Sequence, residues 1–426
     1  MLVFPRKKMA PALTHTEIDR GVSRVSLFAK LYKYLLSIFH TVRETSTNAP
    51  SFSPVTIRAL RDYRKASKEV EMGKDTMKAV VFKGKLKVEL EDRPIPKIQD
   101  PTDIIIKVTY SALCGSELHV FRGHQPSKEG FIMGHEFTGD VVEIGSAIKN
   151  FQKGDTIVTP FTTSCGECFY CKGGFSSRCE KCLLFGCPLL DGGQAEYARI
   201  PYADTTAVKA PEGIEEKKLV LMADIFPTGY FAAQNAFYGF DEKTIQQSTV
   251  VVIGCGPVGL CALINALEYK PGHVLAVDGV ESRLELARKL GAEPWNYQTN
   301  RAGLDKRVKE LTDGRGADTV IEGVGLSPAL QMGFELLRPW GNISSFGVHN
   351  GEIPWTGNQA YGKNLKIQMG RCPVRSLFPQ ALEMLKKKQH LLDFMTDKIM
   401  PLSDAIEGYE IFNDMKVQKV IFEAQK

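Results

Sequence analysis

The stretch Ser248-Thr-Val-Val-Val-Ile-Gly-Cys-Gly-Pro-Val-Gly259 decides how the rest of the chain is read. Ser248 to Ile253 is a β-branched run of the kind that is buried on both faces of a parallel sheet. It passes directly into Gly254-x-Gly256-Pro257-x-Gly259, and Leu260 to Tyr269 then reads as an apolar helix. A second strand, Val274-Leu-Ala-Val-Asp278, ends on an acid 19 residues past the last glycine. This order is what dinucleotide binding requires. The glycines let the backbone approach a pyrophosphate at the helix N-terminus, and the acid accepts ribose hydroxyls. Asp278 favours NAD, because a carboxylate there repels the extra phosphate of NADP. Arg283 could accept that phosphate, but its assigned place is over the adenosine.

Downstream, helices at 281–290, 304–311 and 328–337 alternate with strands near 294–297, 318–322, 342–346 and 365–369. Six strands with five crossovers predict a doubly wound parallel sheet over 226–371. Upstream, 77–225 holds short strands at 77–82, 86–90, 103–110, 141–144, 156–159 and 194–200 with Gly-rich turns, a β-rich domain. Residues 372–426 carry a helix at 376–388 and a terminal strand at 419–422, and are expected to return to the β-rich domain. The fold class is therefore α/β, with a β-rich domain beside a dinucleotide-binding one.

The loops of the β-rich part carry metal-ligand patterns. Cys165, Cys168, Cys171 and Cys179 follow Cys-x2-Cys-x2-Cys-x7-Cys within 15 residues, enough thiolates to close a structural zinc site. Cys182 or Cys187 could replace Cys179 in principle. A second constellation is looser. Cys114 and His135 offer sulfur and nitrogen, Glu136 a carboxylate, Ser116 a hydroxyl and His119 a second imidazole. Asp224 stands alone in the apolar run Leu221 to Tyr230, where a buried carboxylate needs a counter-charge. A zinc ion on Cys114 and His135 would provide it and would keep one position open, as catalytic zinc does.

The chain has 426 residues, 43% hydrophobic and 24% charged, the balance of a soluble globular protein. No apolar run approaches membrane-span length. The net charge of +5 is unevenly placed: residues 1–76 hold 14 Lys and Arg against 7 Asp and Glu, and the remainder 40 against 42. The body therefore lacks a nucleic-acid-binding signature. Residues 1–76 read as a basic extension, disordered or partly helical, with a basic amphipathic pattern between Asp19 and Glu44. Without a secretory signal peptide, a cytoplasmic protein is expected, with a mitochondrial transit function for the extension as the alternative. His349 and Trp355 are guesses for the substrate pocket.

From Met77 onward, about 350 of the 426 residues resemble the zinc-containing medium-chain alcohol dehydrogenases. Asp224-Ile-Phe-Pro-Thr-Gly-Tyr230 and Gly370-Arg-Cys-Pro-Val-Arg375 look most like their formaldehyde-dehydrogenase-like branch, in its fungal form. The resemblance implies a GroES-like catalytic domain and a Rossmann domain, two zinc ions per chain and NAD. It implies Cys114, His135 and Asp224 as ligands of a catalytic zinc, with Glu136 beside it. Asp224 departs from the cysteine that most relatives use. Ser116 and His119 would carry the hydroxyl proton to solvent, and Thr228 and Val258 would flank the nicotinamide. The expected substrate is a small or medium alcohol or an aldehyde hydrate. Alternatives are a formaldehyde or S-(hydroxymethyl)glutathione-type dehydrogenase, a polyol dehydrogenase, or a non-catalytic NAD- and zinc-binding protein. Relatives form dimers or tetramers. Only 14 residues separate Cys179 from Gln194, too few for the loop that retains NAD in bacterial formaldehyde dehydrogenases, so exchangeable NAD is expected.

Overall fold

A computed structural model describes residues 75–426. The basic amphipathic segment between Asp19 and Glu44 lies outside them. The first half of the described chain is built of short strands: β1 (Thr76–Phe82), β2 (Val88–Pro94), β3 (Ile104–Ala112), β4 (Glu136–Ile144), β5 (Thr156–Thr159), β6 (Tyr197–Ile200) and β7 (Val208–Lys209). A seven-residue helix, α1 (Gly115–Phe121), follows β3, and a 12-residue helix, α2 (Ile225–Ala236), leads into the second half.

There β8 (Thr249–Ile253), α3 (Pro257–Glu268), β9 (His273–Asp278), α4 (Glu281–Leu290), β10 (Glu293–Asn296), α5 (Tyr297–Leu311), β11 (Ala317–Glu322), α6 (Ser327–Leu336), β12 (Leu337–Ser345), α7 (Gly357–Lys363) and β13 (Lys366–Met369) alternate. The chain closes with α8 (Val374–Lys388), β14 (Ile399–Pro401), α9 (Ala405–Asn413) and β15 (Ile421–Glu423).

The parallel sheet runs β10-β9-β8-β11-β12-β13, so the strand order reverses beside β8, at the carboxyl end of which the glycine turn sits. That crevice is where doubly wound sheets bind nucleotides. All five residues of β8 are buried, as its β-branched run demands. A second sheet runs β14-β15-β3-β4-β5-β7, with β6 also on β3. The last strand thus joins the first sheet: Ile421 pairs with Ala112 and Glu423 with Tyr110, antiparallel. This brings the chain's final residues beside the loop that follows β3.

Two local expectations shift. The strand expected at 86–90 spans Val88–Pro94. The strand expected from Val141 begins at Glu136, so His135 and Glu136 stand at its entry. The segment from Ile225 is a helix although Pro227 and Gly229 lie within it. Pro227 is in the first turn, where its missing N–H has no intrahelical partner to lose. Gly229 faces α3: a Cβ there would come within 2.6 Å of the backbone at Cys261 and Ala262. The glycine therefore permits a close crossing of α2 on α3, and α2 links Asp224 at one end to the helix that carries the glycine loop.

Candidate active site

Three segments deliver the first cluster. Cys114 stands at the N-cap of α1 in extended conformation, His135 and Glu136 at the entry of β4, and Asp224 at the start of α2. One donor atom from each of Cys114, His135, Glu136 and Asp224 lies within 4.8 Å of all the others. Asp224 Oδ2 is 3.4 Å from His135 Nε2 and 3.7 Å from Cys114 Sγ. Its other oxygen, Oδ1, accepts a 2.7 Å hydrogen bond from Thr228 Oγ1, one helical turn on. Thr228 thereby turns one carboxylate oxygen away and leaves the other aimed at the cluster.

The electrostatics are those of acidic groups crowded together out of water. Burial and the neighbouring Glu136 push the Cys114 thiol up, against the pull of His135. Burial alone would depress the His135 imidazole, yet the Cys114 and Glu117 charges and its hydrogen bond to Asp224 hold it well above its ordinary range. Glu136 is raised to about 7, mainly by burial, with Lys419 opposing and Asp224 adding to the rise. Lys419 Nζ lies 2.5 Å from Glu136 Oε2, both side chains wholly buried. The contact is an ion pair between two groups removed from water. One thiol, one imidazole and two carboxylates gathered in a buried space fit zinc, which takes sulfur, nitrogen and oxygen donors and offsets their charge.

Around this cluster lie residues that sequence reading did not single out. Glu117 Oε2 accepts the Cys114 backbone N–H at 2.8 Å, and Oε1 is 3.9 Å from His135 Nδ1. Its spacing, three residues after an N-cap, was a usable signal, because an acid there reaches back to the cap N–H. Lys419, 283 positions from Glu136 in sequence, left no such signal. The Phe161 ring sits edge-on to His135, with centroids 6.1 Å apart, and the buried Cys372 thiol points at the Pro227 carbonyl 3.5 Å away. Ser116 Oγ donates to Cys114 Sγ at 3.3 Å. His119 lies three residues further along the same helix, half-buried, and its pKa is lowered by burial and by the nearby His124 and Arg122.

The second cluster is local. The sulfurs of Cys165, Cys168, Cys171 and Cys179 lie within 4.8 Å of one another. Peptide N–H groups of Cys165 and Lys181 point at Cys179 Sγ, at 3.2 and 3.4 Å, and those of Cys171 and Glu180 draw Cys168 down to about 6. Cys171 is pushed up to about 12, chiefly by burial. Cys187 instead donates to the Leu184 carbonyl, and neither it nor Cys182 joins the quartet. Four sulfurs with no further donor fit a closed zinc site.

The nucleotide side is equally specific. A Cβ on Gly259 would lie 1.8 Å from the Gly254 carbonyl oxygen, so only glycine lets α3 start this close to β8. A Cβ on Gly256 would meet nothing nearer than Arg283 Nη1 at 4.0 Å; the space it leaves suits a pyrophosphate at the helix N-terminus, where Pro257 occupies the first turn. Asp278 is oriented by two backbone donors, Cys255 N–H on Oδ2 at 2.7 Å and Val280 N–H on Oδ1 at 2.8 Å. Each oxygen keeps a second lone pair for a ribose hydroxyl. Arg283 Nη1 is 3.8 Å from Asp278 Oδ2. Trp355 stacks on Phe334 at 4.8 Å and His349 contacts the Glu352 carbonyl.

Comparison with known proteins agrees with this geometry. Residues 100–212 match the alcohol dehydrogenase GroES-like domain, and residues 257–387 match the zinc-binding dehydrogenase family. The chain is 74% identical over 348 residues to zinc-type alcohol dehydrogenase B of Aspergillus flavus, covering 82% of this chain and 81% of that one. It is 53% identical to the medium chain reductase/dehydrogenase ucsI of Acremonium sp, over 68% of this chain and all of the other. Among solved structures it superposes on alcohol dehydrogenase TADH from Thermus sp. ATN1 with a TM-score of 0.74, at 32% identity over 82% of this chain and 99% of that one. No helix among the described residues is long and apolar enough to cross a membrane. The chain is an enzyme of the zinc-type medium-chain alcohol dehydrogenase family, and its cofactors are zinc and NAD.

Proposed function

We propose that this enzyme oxidises a small or medium alcohol, or an aldehyde hydrate, with NAD at the cluster of Cys114, His135 and Asp224, and reduces the matching carbonyl in reverse. The observation that carries this is the convergence of those three donors at one end of α2, the helix that also bears Thr228 and crosses α3 at Gly229. When bound, zinc supplies a Lewis acid that lowers the pKa of a substrate hydroxyl, and NAD supplies the hydride acceptor.

The side chains divide the remaining work. Cys114, His135 and Asp224 hold the ion, and Thr228 keeps Asp224 turned towards it. Glu136, paired with Lys419, is a fourth donor kept beside the cluster. Ser116 takes the substrate's hydroxyl proton at Oγ. His119, whose lowered pKa keeps the imidazole neutral near pH 7, receives a proton at its ring nitrogen at the solvent end of the relay. Phe161 packs its ring against the His135 imidazole. Gly254, Gly256, Pro257 and Gly259 hold the pyrophosphate, Asp278 and Arg283 the adenosine ribose, and Thr228 and Val258 the nicotinamide. Cys165, Cys168, Cys171 and Cys179 hold the structural ion.

The Asp224-Ile-Phe-Pro-Thr-Gly-Tyr230 segment supports placing the enzyme in the formaldehyde-dehydrogenase-like branch. The short loop after Cys179 speaks for exchangeable NAD and against strict formaldehyde specificity. The test is zinc content together with NAD reduction across primary alcohols, polyols, formaldehyde and its glutathione adduct, for wild type and Asp224→Ala. The wild type is expected to hold two zinc ions per chain and to turn over primary alcohols after dialysis only when NAD is added. Asp224→Ala should hold one ion and lose turnover. A variant that keeps both ions refutes Asp224 as a ligand, and activity confined to formaldehyde, its glutathione adduct or polyols moves the substrate class accordingly.

A further inference from the structure

Behind the metal cluster runs a second line of polar side chains, in a part of the molecule otherwise filled by hydrocarbon. Tyr409, on α9 near the end of the chain, is wholly buried among Leu113, Leu118 and Met133, and its ring packs 5.1 Å from that of Phe121 on α1. Its hydroxyl donates a 2.8 Å hydrogen bond to Gln194 Oε1. Gln194, just before β6 and also wholly buried, donates from Nε2 to Glu117 Oε1 at 3.3 Å and to Oε2 at 3.5 Å. Glu117 in turn takes the Cys114 N–H on Oε2 and presents Oε1 to His135 Nδ1, at a distance of charge contact rather than of a hydrogen bond.

The proton directions in this line follow from an ionised Glu117. An ionised carboxylate only accepts, so the Gln194 amide must turn its NH2 towards Glu117 and its oxygen the other way. That oxygen is buried and needs a donor, and Tyr409 has one hydroxyl hydrogen to give. Remove the hydroxyl and the amide loses the partner that fixes its orientation. It can then present its oxygen to the carboxylate, a repulsive contact in a water-poor space. Glu117 would be free to leave the His135 Nδ1 side, and Nδ1 must face an acceptor if Nε2 is to offer its lone pair to a metal.

We propose that Tyr409 and Gln194 are positioning residues for the catalytic zinc: acting through Glu117, they fix the orientation of the His135 imidazole. The hydroxyl of the C-terminal helix is thereby part of the metal site, two hydrogen bonds and one charge contact from the His135 ring. This rests on the assignment of Cys114, His135 and Asp224 as zinc ligands. It explains a feature that packing alone does not, since a phenylalanine would fill the Tyr409 site with the same hydrocarbon.

The experiment is zinc release from the purified holoenzyme to a chromogenic chelator, with melting temperature measured in parallel, for wild type, Tyr409→Phe, Gln194→Met and the double variant. Removing outer partners of metal ligands typically weakens metal holding 10- to 100-fold. Tyr409→Phe is expected to release one of its two ions about 10-fold faster than wild type, near the low end of that range. The ion of the four-cysteine loop should leave at the wild-type rate and so serves as an internal control. The double variant should be no faster than Gln194→Met, because both changes cut one line. Gln194→Met gives the same reading if Tyr409→Phe folds poorly. Two outcomes would overturn the inference: a lower melting temperature with unchanged release of the first ion, or equal acceleration of both ions. A wild type that holds a single ion would instead overturn the ligand assignment and the inference with it.

Discussion

The two cysteine-bearing clusters of this chain solve one problem in opposite ways. The closed one draws four thiols from a single 15-residue loop, and peptide N–H groups of that loop and its flank tune them. The open one draws its donors from the N-cap of α1, the entry of β4 and the start of α2, with Cys114 and Asp224 110 positions apart. Three of the four donors are steadied from outside: Glu117 behind His135, Thr228 behind Asp224, Lys419 against Glu136. A closed site satisfies its ion by itself. A site that leaves room for substrate lacks one bond, and the surrounding fold supplies the rigidity that bond would have given.

The same substitution made in both clusters should separate these designs most widely. Cys114→Ser weakens the ion that does chemistry, and turnover should fall on the order of 1000-fold, the equivalent of several kcal/mol of transition-state stabilisation. Its melting temperature should change little. Cys171→Ser should do the reverse, losing the other ion and lowering the melting temperature while turnover per folded molecule stays within a few-fold of wild type. Zinc content, thermal melting and steady-state rates on both proteins check this. If Cys171→Ser is inactive while still folded, the two clusters are not separate devices.

A smaller effect sharpens the dependence of the open cluster on distant residues. Lys419 and Glu136 are both wholly buried, and at alkaline pH, above the Glu136 pKa that burial raises to about 7, removing the lysine leaves an uncompensated charge. Lys419→Met should cost about 3 kcal/mol of stability, and adding Glu136→Gln should restore most of it, because the neutral amide needs no counter-charge. Denaturant unfolding of the zinc-free proteins reads both values. A double variant no more stable than Lys419→Met would mean that Lys419 acts through packing alone.

What could be read in the sequence follows the same division. The glycine loop, the buried β8 run, Asp278 and the four-cysteine loop are written in contiguous residues, and each imposes its geometry locally. Their spacing sufficed. Cys114, His135 and Asp224 were legible as residue types, and Asp224 could be read as a helix-start carboxylate, yet what joins the three is the path of α2, whose close crossing on α3 at Gly229 has no local signature. Glu117 was within reach of a capping argument. Lys419 and Tyr409 were not, because β15 and α9 come beside the cluster through the antiparallel pairing of Ile421 with Ala112; nor was Gln194, which the Met133 carbonyl holds beside the cluster by accepting its N–H at 2.9 Å.

The smallest predicted effect tests the far end of the proposed proton relay. His119 is half-buried, and its pKa is lowered first by burial, then by His124 and Arg122; the His119 and His124 rings are 6.1 Å apart. A relay base must be neutral to accept, so alcohol oxidation should be fully supported above the His119 pKa and should fall as pH drops through it, a limb lying below the ordinary histidine value of about 6.5. The stability term has the same sign. The unfolded chain binds this proton more readily than the folded one, so the His119 contribution is present above about pH 6.5 and shrinks as the solution becomes more acidic. Replacing His124 removes a like charge and opens His119 to water, and both changes raise its pKa. His124→Ala should therefore move the acid limb of kcat to higher pH while leaving the plateau rate and both zinc ions in place. Because the bulk of the lowering comes from burial, the displacement should be modest, and larger in His124→Ala than in Arg122→Ala, whose charge is the weaker of the two influences. An acid limb that stays where it is in both variants would remove His119 from the relay and leave Ser116 to pass its proton to solvent by another path.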